Sequence, residues 1–332
     1  MRKVKQIKYI DNTDLCLLRK KYGNGYQYYD ETGDKITDKK VLSRLKKLVI
    51  PPMWDKVMIC KWPDGHIQAT GRDLKGRKQY IYHSEWERQR QAEKFARMKS
   101  FGKVLPIVRK KCLSDLKAKN WHKSKVLALM LLILDETGIR IGNQQYVKKN
   151  ETYGLTTLRR RHLDIDQSGL TFEYKGKSNK NRSVAIDDND LVKFIRKSAE
   201  LPGYEIFRYR DKNGDWLNVD SDEVNDYIKE SMGDEFSSKD FRTWVASRLA
   251  VEYYPQALNQ KENAPRKKFT NILIRLVADE LGNTPSVCKN YYVHPNILQL
   301  IDKKELPVYE DYTVGKYDYS LSAAEKIILE VI

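Results

Sequence analysis

Near residue 88 the hydrophobic pattern of this chain changes period, and that switch constrains the fold more than any other feature. Upstream, apolar and polar residues alternate, as on strands with one buried face. Downstream, from "SEWERQRQAEKFARMKSFGKVLPIVRKKCLSDLKAKN" onward, apolar residues recur at three and four, as on amphipathic helices. The pattern predicts an α+β chain: a small β-rich N-terminal domain over 1–88, then a mainly α-helical domain over 89–332. A length of 332 residues agrees, being more than one core usually serves.

In the first region "YGNGYQYYDETGDKI" reads as a hairpin with a Gly-rich turn. "DKVMICKWPDGHIQATGRD" reads as two strands joined across Pro63, Asp64 and Gly65, and "RKQYIYH" as another strand. "KKVLSRLKKLVIPP" is a basic amphipathic helix stopped by Pro51. In the second region "KSKVLALMLLILDETG" is a buried helix ended by Gly138. Its apolar run is far too short to span a bilayer, so no membrane association is expected. "GLTFEYKGKSNKNRSVAI" interrupts the helices with a two-stranded hairpin. Helices resume in "DLVKFIRKSAEL", "SDEVNDYIKESM", "SSKDFRTWVASRLAVEYY" and "KFTNILIRLVADELG", the third with a capping box of Ser237 and Asp240, the last with Gly282 as C-cap. Thr284 and Pro285 then open a short helix carrying Tyr291 and Tyr292.

Charge names the class of partner. The formal net charge is +17, and residues 72–125 hold 17 Lys or Arg against 5 Asp or Glu. So concentrated a basic stripe suits a polyphosphate backbone better than general solubility. Cys16, Cys60, Cys112 and Cys288 are scattered, and the five histidines form no H-E-x-x-H. The expectation is no metal site and free thiols in a reducing cytoplasm. "MRKVKQIKYID" lacks the apolar segment of a secretory signal.

Few motifs carry chemistry. "GKS" at 176–178 fails as a nucleotide loop, because Thr171 stands where its first glycine belongs, so no nucleotide cofactor is expected. Four places remain. Arg140, in "ETGIRIGN", follows the buried helix and needs an anion or an acceptor; a structural salt bridge would also serve. Arg242, in "KDFRTW", opens a helix, where phosphate binds well, though a surface arginine reads the same way. Lys177, at the tip of "YKGKSNKNR", is either solvated or able to deliver a proton into a groove. Tyr291 and Tyr292 are each packing aromatics or a nucleophile. Together, two arginines, a lysine and a tyrosine supply the positive charge, acid and nucleophile of phosphoryl transfer.

With those residues in that order the chain resembles the type IB DNA topoisomerases, of the compact class found in poxviruses and many bacteria. The likeness runs from about residue 50 to 300, through "GRDLKGRKQYIYH", "ETGIRIGNQQYVKKNETYGLTTLRRRHL", "YKGKS", "KDFRTW" and "LGNTPSVCKNYYVHP". It implies Arg140, Lys177 and Arg242 as catalytic, with Lys239 as a further DNA contact. The nucleophile of the family lies nine residues after the polar residue preceding "TPS". Counting from Asn283 gives Tyr292, which leaves Tyr291 to pack. Viral members carry histidine where this chain has Asn283, an amide that donates a hydrogen bond without charge and points to a bacterial-type member.

The resemblance further implies a 3′-phosphotyrosyl link formed by Tyr292, with Arg140, Arg242 and Asn283 stabilising the pentacoordinate state. Lys177 would protonate the departing 5′-oxygen. A free tyrosine holds its proton to a pH of about 10, so the arginines would also favour the phenolate. Supercoils would relax by strand rotation and religation, without ATP or metal. The two domains of a monomer would clamp duplex DNA, with Arg72, Arg77, Lys78, Tyr80 and Tyr82 facing it, in the cytoplasm and, for a bacterial protein, at the nucleoid. Two alternatives stand beside this one. Tyrosine recombinases share the chemistry but usually place histidine where Lys239 stands, behind a helical N-terminal domain. A non-catalytic DNA-binding protein would account for the basic stripe alone.

Overall fold

The computed structural model describes residues 7–165, 169–307 and 319–332. The chain divides into two compact units, Met1–Lys94 and Phe95–Ile332. Unit one is built on strands β1 (Leu17–Tyr22), β2 (Gly25–Tyr29), β3 (Asp55–Ile59), β4 (Ile67–Arg72) and β5 (Lys78–Tyr82), with helix α1 (Lys39–Lys47) between β2 and β3. All pairings are antiparallel and the order is β2-β1-β3-β4-β5. Leu17, Tyr28, Leu45, Ile50, Val57, Ile59 and Ala69 form its core.

Two details differ from the sequence reading. The first hairpin turns at Gly23 and Asn24, so its leading strand is "LLRKKY", upstream of the stretch that looked like the hairpin. The exposed outer half of β1 hides its alternation. Helix α1 also stops before Pro51 can act: Leu48 caps it, and Val49 takes a positive φ of 48°. The chain turns there so that Ile50 enters the core, where Arg19 donates to the carbonyls of Ile50, Pro51 and Trp54 at 2.8, 3.0 and 2.9 Å.

Helix α2 (Ser84–Ala96) carries the chain across the division between the units. Unit two is helical around α4 (Lys123–Thr137), every residue of which from 125 to 135 is buried. Its neighbours are α3 (Met98–Leu116), α6 (Asn189–Ala199), α7 (Ser221–Met232) and α8 (Ser238–Glu252). Gly102 of α3 lies so close to Trp244 of α8 that any side chain there would collide with the indole. Short helix α5 (Gln144–Asn150) leads to a three-stranded sheet, β6 (Leu163–Ile165), β7 (Leu170–Lys175) and β8 (Asn181–Ile186), in which β7 and β8 form the expected hairpin. A second hairpin, β9 (Arg208–Arg210) with β10 (Trp216–Asn218), was not legible, being only three residues a strand. Helices α9 (Tyr254–Asn263), α10 (Phe269–Leu281), α11 (Pro285–Tyr291), α12 (Pro295–Lys303) and α13 (Ala323–Val331) complete the unit.

The slightly acidic end of the chain is part of the core. Ser322 caps α13 and Glu325, 1% exposed, reaches back to the Ser322 amide at 2.9 Å. The same carboxylate takes Arg109 Nη2 at 2.6 Å and Trp244 Nε1 at 2.8 Å, while Arg109 Nε binds Asp135 at 2.6 Å. Burial alone would raise the Glu325 carboxyl; the charge and hydrogen bonds of Arg109, with help from Arg248 and Trp244, outweigh it and bring it down to about 2. A carboxyl lowered on folding stabilises above its unfolded value of 4.5 and loses that contribution as pH falls toward about 2. Glu325→Gln should therefore cost about 3–5 kcal/mol at neutral pH, with the gap to wild type closing in acid. Urea unfolding of both chains from pH 7 to 3 measures it; a gap independent of pH would contradict the linkage.

Candidate active site

Two helix ends build the site in unit two. Helix α4 ends at Gly138, with φ at +59°, and Arg140 follows two residues later. Helix α10 ends at Gly282, with φ at +61°, and Asn283 follows at once, its N–H bonded to Ala278 O at 2.8 Å. A left-handed glycine turns the chain sharply, so each polar residue emerges at a helix terminus. The Arg140 segment is held from the other side: Leu155 and Thr156 donate to the carbonyls of Arg140 and Ile141 at 2.9 and 2.8 Å. Gly154 permits this approach, since a Cβ there would lie 2.6 Å from Arg140 O.

Arg242, the fifth residue of α8 and 5% exposed, joins the two turns. Its Nη1 donates to Gly138 O and its Nη2 to Leu281 O, while Nε meets no acceptor among the described residues. The Ser237 and Asp240 capping pair forms as read, with Ser237 N bonded to Asp240 Oδ2 at 2.9 Å. Asp240 therefore serves the start of the helix and leaves Arg242 to look inward. Burial, then the charge of Arg140, lowers the Arg242 guanidinium to about 10, still well above neutral pH, with Tyr292 opposing the shift. Burial also lowers Arg140.

Tyr292 is the C-cap of α11, a helix opened by Thr284 and Pro285 and seated by buried Cys288. Its half-buried ring lies under Arg242, with Cζ 5.3 Å from the ring centroid. Arg140 Nη2 donates to Asn283 Oδ1 at 2.6 Å. A guanidinium only donates, so the oxygen of Asn283 must face it and the amide nitrogen must face away. That nitrogen, Nδ2, is buried without a partner among the described residues. Arg140, Arg242, Asn283 and Tyr292 are thus one constellation: two guanidiniums, an unspent amide donor and a phenol. Tyr291, the last residue of α11, is 40% exposed, whereas Tyr292 beside it is half-buried under Arg242.

Lys177 is exposed at the tip between β7 and β8, where Ser178 and Asn179 adopt positive φ. Lys239 is also exposed, one turn before Thr243 on α8. Two neighbours of the constellation were missed in the sequence. Tyr174 of β7 is buried, which raises its phenol, while Arg182, Arg242 and Arg140 act to lower it. Arg182 stands opposite Tyr174 on β8. Alternation could have put Tyr174 inside, but nothing in the sequence relates Arg182 to residues a hundred positions away.

The remaining predicted contacts lie in unit one. Lys78, Tyr80 and Tyr82 share one face of edge strand β5, and Arg72 is the cross-strand neighbour of Lys78. Tyr80 stacks on Tyr82 and Tyr82 on Trp86, at 5.9 and 4.6 Å between centroids, with Lys78 5.3 Å from the Tyr80 ring. Arg77 is paired with Asp73 at 2.6 Å, and Arg72 donates to Gly76 O at 2.7 Å. Any anion they meet must compete with those partners.

A phenol flanked by a buried and a half-buried guanidinium and an amide donor can attack a phosphodiester and stabilise the charge that develops, which is the equipment of a strand-transferring enzyme. Comparison with known proteins narrows that class. Residues 83–312 match the family described as "Eukaryotic DNA topoisomerase I, catalytic core", and residues 25–73 match "Bacterial DNA topoisomerase IB, N-terminal domain". DNA topoisomerase 1B of Acanthamoeba polyphaga mimivirus is 33% identical over 86% of this chain and 87% of its own. DNA topoisomerase 1B of Vaccinia virus (strain Copenhagen) is 27% identical over 75% of this chain and 77% of its own. A solved XerH site-specific recombinase bound to difH substrate gives a TM-score of 0.35 at 16% identity, over 57% of this chain and 48% of that one, too slight a likeness to bear on function. The chain belongs to the type IB DNA topoisomerase family. It is a DNA-binding isomerase that relaxes supercoils by the type IB route.

Proposed function

We propose that Tyr292 is the nucleophile and that Arg140, Arg242, Asn283 and Lys177 complete its reaction. The phenolic oxygen attacks a backbone phosphorus, its proton leaving to solvent. The Tyr292 O–P bond forms and the P–O5′ bond breaks, giving a 3′-phosphotyrosyl end. The Lys177 ammonium gives its proton to the departing 5′-oxygen. Arg140, Arg242 and the free Nδ2 of Asn283 hold the non-bridging oxygens, where charge accumulates. The cut strand rotates about its partner, and the 5′-hydroxyl reverses the attack. Because the covalent link conserves the ester, the cycle needs no external energy.

The observation that carries this reading is the buried, unpartnered Nδ2 of Asn283, held by Arg140 beside an arginine that faces the Tyr292 ring. A donor is costly to bury unsatisfied unless a ligand completes it. Lys239 and, in unit one, Arg72, Arg77 and Lys78 are assigned to DNA contacts on charge and exposure, and Tyr80 and Tyr82 as the stacked aromatics on the same face as Lys78. The enzyme is assigned as a cytoplasmic monomer, at the nucleoid if the source is bacterial; among the described residues no helix is long and apolar enough to cross a membrane.

The deciding experiment is relaxation of supercoiled plasmid in EDTA without ATP, with solution mass measured beside it. Relaxation by a monomer is expected. Binding without relaxation would leave only a DNA-binding protein, and a stable tetramer that exchanges strands between defined sites would make it a recombinase.

A further inference from the structure

We propose that Arg182 is a positioning residue that fixes the Lys177 hairpin against the Asn283 turn. The inference rests on the assignment of Lys177 as the general acid. Arg182 lies on β8, paired across the hairpin with Tyr174. Its stem runs against Gly176, where a Cβ would lie 2.9 Å from Arg182 Cγ. Its guanidinium reaches the end of α10, with Nη1 donating to Asp279 O at 3.1 Å and Nη2 to Glu280 O at 2.5 Å. The same guanidinium lies flat on Gly282, where any Cβ would collide with it. One side chain therefore spans from the residue before Lys177 to the residue before Asn283.

The chemistry suits a fastening. Carbonyls at a helix C-terminus lack partners within the helix and carry partial negative charge, so a guanidinium is held there by two bonds and by the helix dipole. Tyr174, the cross-strand partner of Arg182, is buried, so the strand opposite Arg182 is packed into the core of unit two. On the β7 side, Tyr153 N–H donates to Lys175 O at 2.7 Å; beyond Lys175 the bonds of the tip, among the described residues, are its own turn bonds. Gly176 N–H to Lys180 O at 2.8 Å and Asn179 N–H to Gly176 O at 3.1 Å set the shape of the turn, not where it sits. Lys177 is exposed, so its aim depends on the strand beneath it. Nothing requires Arg182 to touch the phosphate.

A leaving group that needs no proton separates this role from a general loss of structure. In a 5′-bridging phosphorothiolate, sulfur replaces O5′; attack by the phenolate breaks P–S and the thiolate departs unprotonated. Single-turnover cleavage at saturating enzyme is compared on oxygen and sulfur substrates. Arg182→Ala is expected to slow oxygen cleavage about 10- to 100-fold and sulfur cleavage less than about three-fold. Arg182→Met, which keeps the stem over Gly176 and removes the fork, should show the same split and serves if the alanine chain does not fold. Equal slowing on both substrates, or no slowing on either, would overturn the proposal. Lys177→Ala is the control. If sulfur fails to rescue it, the assignment of Lys177 is wrong; if sulfur rescues Lys177→Ala but not the Arg182 variants, only the role of Arg182 falls.

Discussion

Tyr292→Phe should bind supercoiled plasmid, leave every superhelical turn in place and yield no protein–DNA adduct on denaturing gels. The substitution removes one oxygen and keeps the ring that packs beside Arg242, 5.3 Å from its Cζ. Folding and DNA affinity should therefore stay close to wild type, while cleavage falls below detection, because covalent catalysis has no partial substitute for its nucleophile. Tyr291→Phe is the matched control. Tyr291 is 40% exposed on the preceding helix position and should relax DNA normally. Persistent relaxation by Tyr292→Phe, or loss of it in Tyr291→Phe, would move the nucleophile to the neighbouring residue.

Local signals marked where this constellation's residues sit, while the family resemblance singled out Asn283 and chose Tyr292 over Tyr291. A glycine closes α4 two residues before Arg140, another closes α10 just before Asn283, and Thr284 with Pro285 announces the helix that ends at Tyr292. Such signals fix where a residue leaves its element. They do not show what it meets. Arg140 binds Asn283 across 143 positions, and Arg242 reaches back 104 to Gly138 and on 39 to Leu281. Those pairings depend on how α4, α8 and α10 pack, which periodicity does not specify. Arg182 escaped notice for the same reason, and α13 for another. "SAAEKIILEV" carries a capping-box serine and glutamate, but the mild acidity of the tail masked a buried helix whose Glu325 binds Arg109. Local chemistry was also overruled once, where a packed Ile50 ended α1 ahead of Pro51.

Arg242→Ala should lower the cleavage rate about 10³- to 10⁵-fold, a loss in the range for arginines that neutralise phosphoryl transition states. It should also destabilise the fold, because Gly138 O and Leu281 O lose a buried donor, at about 1–3 kcal/mol for each unsatisfied group. The two effects have one origin. By holding the carbonyls just ahead of Arg140 and Asn283, Arg242 sets the geometry of both partners while presenting its own charge to the phosphate. Arg242→Lys separates the contributions: an ammonium keeps the charge but cannot fork to two carbonyls. It should recover little of the rate and remain at least about 100-fold slow. Asn283→Ala, which removes one neutral donor, should cost less than either, about 10- to 100-fold. Thermal unfolding measured beside single-turnover cleavage decides the matter. If rates across the three variants followed melting temperature alone, Arg242 would be a structural clip; a rate deficit that persists well below the melting temperature, where each variant is fully folded, places its charge in the reaction itself.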